Sequence, residues 1–342
     1  MTISEIPSRT RRSYELLGEY WFNSEPVPLL AMRGRIVLLH FWDFSSVGSR
    51  RSIPYVEEWF HRYETHGLVV VGVHVPRYDF SRRPEEVAKA IARNGITYPV
   101  VCDNHHSLAG AYDVRSTPCM VLLDHEGFVR FQCTGDGDYE NIEHAIRSLF
   151  HSLGLFDSLP VPFEPIREED RRGAVRYRVT PDVDAGYLKG NIGNAGNPVP
   201  EAADEYTDPE IYIEGKLYAE GSWYNGRDFI RKEPEGRTEG RLFVRYHAVE
   251  AHAVLSPANQ PGFEVTVSQD GKFLDVENKG EDVLLDGGGR SYIRISEPRS
   301  YNLVRNAEMD DHTLCLGVGP HPLSLYSFVF VSGAIPETVS RN

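Results

Sequence analysis

The chain has 342 residues, 41% hydrophobic and 11% aromatic, which is enough apolar material for two hydrophobic cores. Its formal net charge is −14, with 16 basic and 20 acidic side chains in residues 1–160 and 20 and 30 in residues 161–342. A phosphate-neutralising surface needs clustered Lys and Arg, so this balance argues against a nucleic-acid partner, and no run approaches the roughly 20 apolar residues that span a membrane.

Residues 1–34 form a lead-in around Trp21 and the Pro26/Pro28 pair. It shows no apolar core followed by a cleavage site, so the chain is expected in the cytoplasm, with a trimmed extracytoplasmic protein as the alternative. Strand-like and helical segments then alternate, the pattern of an α/β layer structure. Strands are expected at 35–42, 68–75, 98–101, 119–124 and 128–133, and helices near 46–65, 84–94 and 138–153. Asp124-His125-Glu126-Gly127 should close a hairpin between the last two strands. Pro160, Pro162 and Pro165, followed by the charged run Arg167-Glu168-Glu169-Asp170-Arg171-Arg172, predict a stiff linker. Beyond it, short alternating segments punctuated by turn residues predict an all-β jelly roll or β-sandwich. Within that half, Phe263–Val267, Asp270-Gly271 and Lys272–Val276 predict a hairpin with a type I′ turn. The expected division is 1–155, a linker at 156–175, and 176–342.

The most informative stretch follows the first strand. Arg35-Ile36-Val37-Leu38-Leu39-His40-Phe41-Trp42 runs into Asp43-Phe44-Ser45-Ser46-Val47-Gly48-Ser49, and Pro54 stands five residues after Ser49. Later come Gly67-Leu68-Val69-Val70-Val71-Gly72-Val73-His74-Val75-Pro76, Gly95-Ile96-Thr97-Tyr98-Pro99-Val100 and Ser116-Thr117-Pro118. The second half adds Thr180-Pro181-Asp182, Gly186-Tyr187-Leu188-Lys189-Gly190-Asn191, Ser300-Tyr301-Asn302-Leu303-Val304 and Leu325-Tyr326-Ser327-Phe328-Val329-Phe330. Together these segments resemble the thioredoxin-like proteins of the TlpA/ResA-like branch, in the wider AhpC/TSA-redoxin group. The resemblance is greatest to the soluble C-terminal part of DipZ-like proteins, where a thioredoxin-like domain precedes a β module similar to a carbohydrate-binding domain.

The resemblance implies a mixed central sheet flanked by helices, a Cys-x-x-Cys motif, and a cis-proline loop at Pro118 facing it. In such proteins the backbone of the residue before that proline pairs with substrate as an added strand. This chain departs from the pattern at both cysteines, whose places are taken by Ser46 and Ser49, and a hydroxyl cannot replace the thiolate of disulfide exchange. His40 stands where many redox-active relatives carry a buried acid, and Thr117 where DipZ-like relatives more often have an aromatic residue.

The functional expectation is therefore a redox-degenerate, thioredoxin-fold binding or scaffold protein whose groove is formed by Trp42, Val47, Gly48, Thr117 and Pro118. The alternative is a thiol–disulfide oxidoreductase whose active-site cysteines have been replaced by Ser46 and Ser49. A third reading places one-cysteine chemistry at Cys119. Each residue also has a plainer reading: Ser46 as a helix cap, and Cys119 and His40 as core residues. The partners expected are a peptide or protein at the cis-proline groove, and a carbohydrate or the other domain at the β-sandwich. Tyr206, Trp223 and Tyr224 are the candidate sugar-facing aromatics. No cofactor is expected, and neither His105-His106 nor His247 with His252 has the spacing of a metal site.

Overall fold

The computed structural model describes residues 2–5, 11–155, 158–196, 198–233, 239–258 and 261–335. Two compact units divide the chain at Ala174/Val175.

The first unit contains β1 (Thr2–Glu5), β2 (Trp21–Phe22), β3 (Ile36–Trp42), α1 (Val47–Tyr63), β4 (Leu68–His74), α2 (Pro84–Asn94), β5 (Val100–Cys102), α3 (Ser107–Ala111), β6 (Cys119–Leu123), β7 (Val129–Thr134) and α4 (Tyr139–Ser152). Its mixed sheet runs in the order β1-β7-β6-β3-β4-β5-β2. β3, β4 and β5 are parallel, and β6 pairs antiparallel with both β3 and β7. Every residue of β3 is buried, as expected of a central strand covered on both faces. Alternation splits those residues between two layers. Val37, Leu39 and Phe41 join a core with Val71, Val73, Tyr112 and Val121, so His40 and Trp42 face the opposite layer. Fully burying each large apolar side chain contributes about 1.5–3 kcal/mol, which commits this strand to the middle of the sheet.

The expected strands and helices of this half are present within a few residues of their anticipated bounds. The hairpin between β6 and β7 forms because the Asp124 carboxylate accepts from the amides of Glu126 and Phe128, while Gly127 supplies the left-handed φ of +74°. The edge strands β1 and β2 and the one-turn α3 are short, and no periodicity marks them.

The segment expected to be a linker is packed for most of its length. From residue 158 to 174 it belongs to the first unit and returns across α1 and α4. Phe163 N–H donates to the Glu143 carboxylate, Ile166 N–H donates to the Tyr55 hydroxyl, and that hydroxyl donates to Asp170 at 2.8 Å. What holds the segment is a set of polar side chains on two helices, whose direction composition does not reveal.

The second unit contains β8 (Val183–Asp184), β9 (Ala202–Tyr206), β10 (Leu217–Asn225), β11 (Ile230–Lys232), β12 (Gly240–Pro257), β13 (Phe263–Gln269), β14 (Lys272–Phe273), β15 (Leu284–Leu285), β16 (Ser291–Ile295), β17 (Arg299–Val318) and β18 (Leu323–Val331). The named strands all pair antiparallel. The long strand β12 pairs with β10 over its first half and with β18 over its second, and its register with β17 shifts at Ala248/Glu250 and Ala251/His252. Irregularities of this kind bend a strand. One core then draws on both ends of the network, from Leu217 and Trp223 to Val265, Ile293 and Phe328, as in a sheet folded over on itself. The β13–β14 turn has positive φ at both Asp270 and Gly271, the type I′ signature, although pairing stops at Phe273.

Candidate functional site

The register of the sheet collects one set of loops at one end. Phe41 pairs with Cys119, Trp42 with His74, His74 with Cys102, and Cys119 with Thr134. The segments after β3, β4, β5 and β7 and the segment before β6 therefore share that end. Ser46–Ser49 and Thr117–Pro118 lie there.

Ser46 caps α1. Its backbone is extended, with φ −81° and ψ 121°, and its hydroxyl accepts from the Ser49 amide at 3.2 Å. Ser49 is wholly buried, and its hydroxyl accepts from the Asp43 amide at 3.3 Å. Val47 is buried and Gly48 half-buried. The Thr117–Pro118 peptide bond is cis. A Cβ added at Gly48 would stand 3.2 Å from Pro118 Cδ and 3.3 Å from Asp136 Cβ, so the motif turn lies directly against the proline. Pro118 is buried, whereas Thr117 is half-buried and makes no hydrogen bond among the described residues.

Behind the motif, His40 is fully buried. Its Nε2 lies 2.9 Å from Ser52 Oγ and its Nδ1 lies 3.1 Å from the Tyr98 hydroxyl. Ser52 spends its proton on the Ser49 carbonyl, so Nε2–H donates to Ser52 and Nδ1 accepts from Tyr98. Burial lowers the His40 pKa to about 3, so the ring is neutral and takes no proton at ordinary pH. It serves as a core hydrogen-bonding residue.

Two buried residues here escaped the sequence reading. Asp43 is completely buried, and its carboxylate accepts from the amides of Ser45 and Arg77, both at 2.6 Å, and from the Ser45 and Ser81 hydroxyls. It ties the motif loop to the segment after β4. His74, also fully buried, stacks on Phe44 and meets the edge of Trp42, and neither ring nitrogen has a hydrogen-bond partner. Burial lowers its pKa to about 4 although Asp43 acts to raise it.

Arg51 was likewise missed. Its guanidinium bonds Asp136 and Glu169, each at 2.7 Å, linking α1 to the loop after β7 and to the returning segment. Burial works to lower its pKa, but Asp136 and Glu169 outweigh it and hold the group above its usual value. A pair of adjacent arginines just after a motif signals little by itself, because such side chains are usually solvated.

The four cysteines contribute no thiolate at ordinary pH. Cys119 is wholly buried, accepting weakly from Thr134 and Gln132, and burial raises its pKa. Burial pushes Cys102 and Cys133 up to about 12 and Cys315 up to about 11. The Cys119 reading is corrected accordingly: apolar packing opposes ionisation there.

Two of the three aromatics considered for sugar contact are also corrected. Trp223 is fully buried with its indole N–H donating to the Glu220 carbonyl, and Tyr206 is buried. Tyr224 alone is half-exposed. His247 pairs with Asp311 and His252 with Glu250. No group of three or more His, Cys, Asp or Glu side chains is placed to hold a metal among the described residues, and no described helix is long and apolar enough to cross a membrane.

Residues 17–132 match the AhpC/TSA family, and residues 180–330 match the thioredoxin like C-terminal domain. The thiol-disulfide oxidoreductase YkuV of Bacillus subtilis is 32% identical over 125 residues, covering 36% of this chain and 84% of that protein. The chain belongs to the thioredoxin-like family, in its TlpA/ResA/DipZ-like branch. Protein DipZ of Mycobacterium bovis is 30% identical over 255 residues, or 74% of this chain and 35% of its own length. The chain thus spans about a third of the DipZ relatives it matches. The thiol-disulfide oxidoreductase ResA of Geobacillus kaustophilus is 32% identical over 117 residues, 34% of this chain and 64% of that protein. The fold family is that of the thiol–disulfide oxidoreductases, and in this chain the residues at positions 46 and 49, at the head of α1, are serines.

Proposed function

We propose that this chain uses a thioredoxin fold without dithiol chemistry, to bind an extended peptide segment along Thr117–Pro118. The supporting observation is Thr117 itself: a half-exposed residue beside the cis-proline, with amide and carbonyl unused, opposite Gly48. An extended peptide could pair with that backbone as an added strand, and such pairing draws on main-chain groups rather than on a thiol. Neither serine hydroxyl is set up as a nucleophile. Ser46 is engaged in capping, Ser49 is buried, and the nearby His40 is committed to Ser52 and Tyr98.

A dithiothreitol-driven insulin-reduction assay separates this reading from the replaced-cysteine alternative. The unmodified chain should be inert, and a Ser46→Cys/Ser49→Cys variant should gain activity, because residue 46 sits at a helix N-terminus that favours a thiolate. Reduction by the unmodified chain would refute the proposal. Peptide pairing is checked by hydrogen exchange, where the Thr117 amide should become protected when an extended peptide is added.

A further inference from the structure

A cavity of about 290 Å³ lies between α4 and the returning segment, within the first unit. Small-molecule sites run from roughly 300 to 1,000 Å³, so this one has the size for a small metabolite. Its charged lining is Glu140, Glu143, His144 and Arg147 of α4, with Glu164 and Arg172 of the segment. Spacings of three and four residues put the α4 side chains on one helix face. The segment runs along that face in the opposite direction. The Pro160 carbonyl accepts from Arg147, the Phe163 amide donates to Glu143, and the Arg172 amide donates to Glu140.

Two opposite charges meet the cavity without pairing to each other. Glu143 is 2% exposed, yet its carboxylate accepts only from neutral donors, the Tyr63 hydroxyl at 2.6 Å and the Phe163 amide at 2.9 Å. Arg147 donates Nη1–H to that same hydroxyl at 3.2 Å and to the Pro160 carbonyl. Its Nε and Nη2 make no hydrogen bond among the described residues. Carboxylate and guanidinium are thus held one hydroxyl apart. A carboxylate offers lone pairs for about four donors, and burying one without a counter-ion is costly. Glu140, one turn before Glu143, adds a second carboxylate whose Oε2 has no partner among the described residues, and Glu164 makes no ion pair among them. Arg172 lies within electrostatic reach of Asp138, which leaves Arg147 as the cation available to a ligand. Pro162, Phe163 and Pro165 supply an apolar wall.

We propose that this cavity binds a free α-amino acid with an apolar side chain. Glu143 and Glu140 receive its ammonium, Arg147 receives its carboxylate, and its side chain lies against Phe163 and the flanking prolines. An α-amino acid carries both charges on one carbon, which suits two opposite charges separated by a single hydroxyl. A simple anion would meet the glutamates, and a simple amine would leave Arg147 unanswered. This site is independent of the peptide groove. The test is an NMR titration of the full, ¹⁵N-labelled chain with L-leucine, L-leucinamide and N-acetyl-L-leucine, the last two each lacking one charge. Leucine should shift the Glu143 and Phe163 amide resonances saturably, and each analogue should bind at least tenfold more weakly. Glu140→Gln should weaken leucine and leucinamide together and leave N-acetyl-leucine unchanged, whereas Arg147→Gln should weaken leucine at least tenfold and leucinamide little. The analogues need no substitution, so the comparison survives if Arg147→Gln loosens the segment. Leucinamide or N-acetyl-leucine binding as tightly as leucine would refute recognition of a zwitterion. Shifts confined to other parts of the chain, or none through about 10 mM leucine, well past the roughly 1 mM Kd of a weak site, would overturn the assignment of the cavity.

Discussion

Replacing Arg51 with alanine tests whether the returning segment and the loop after β7 hold the motif helix in place. The Arg51 side chain is 9% exposed and makes two 2.7 Å ion pairs, with Asp136 and Glu169. Removing one partner of a buried pair costs about 3–5 kcal/mol when the remaining charge is left dry. The Asp136 and Glu169 side chains keep 18% and 16% exposure, so water recovers part of their solvation and the expected loss is about 2–3 kcal/mol. For a unit ending at Ala174, each kcal/mol corresponds to roughly 2–4 °C in Tm, which predicts a fall of about 4–12 °C. Urea unfolding followed by tryptophan fluorescence would measure it, since Trp21, Trp42 and Trp59 all lie in the first unit. A double-mutant cycle with Glu169→Gln should show coupling of about 1 kcal/mol or more. A loss below about 1 kcal/mol for Arg51→Ala, with no coupling to Glu169, would refute the clamp and leave the segment to its other hydrogen bonds, among them those to Tyr55, Arg62, Glu143 and Arg147.

Acid should destabilise the first unit well before its carboxylates titrate. The folded pKa of His40 is about 3 and that of His74 about 4, against 6.5 for a free histidine. The unfolded chain thus takes up these protons first, and stability present above pH 6.5 is lost as pH falls toward those values, by up to about 1.4 kcal/mol per pH unit per histidine. His74→Phe should reduce that slope by about half without destabilising the protein at pH 7, since neither ring nitrogen is hydrogen-bonded; an unchanged slope in pH-dependent urea unfolding would contradict the assignment. With a thiol reagent such as 5,5′-dithiobis(2-nitrobenzoate), the native chain should react slowly at pH 8, half-buried Cys315 ahead of the other three, and all four should react at once in denaturant. Rapid native reaction at Cys119 would reopen the single-thiol reading.

Much of the fold is legible in order of residues alone, because the signals are local. The all-apolar run of β3, the caps and turns at Ser46 and Asp124, and the Asp270-Gly271 hairpin depend on near neighbours and on backbone preferences. That positions 46 and 49 are serine is also a property of the sequence. The tertiary structure decided which polar groups are buried and what they meet. Asp43 gathers donors from the segment after β4, Arg51 finds one carboxylate 85 residues away and another 118 residues away, and the 158–174 segment lies against two helices rather than spanning a gap. Trp223 and Cys119 turn inward for the same reason: side-chain direction follows from strand pairing and burial, and pairing over long separations leaves no periodicity in the chain to read.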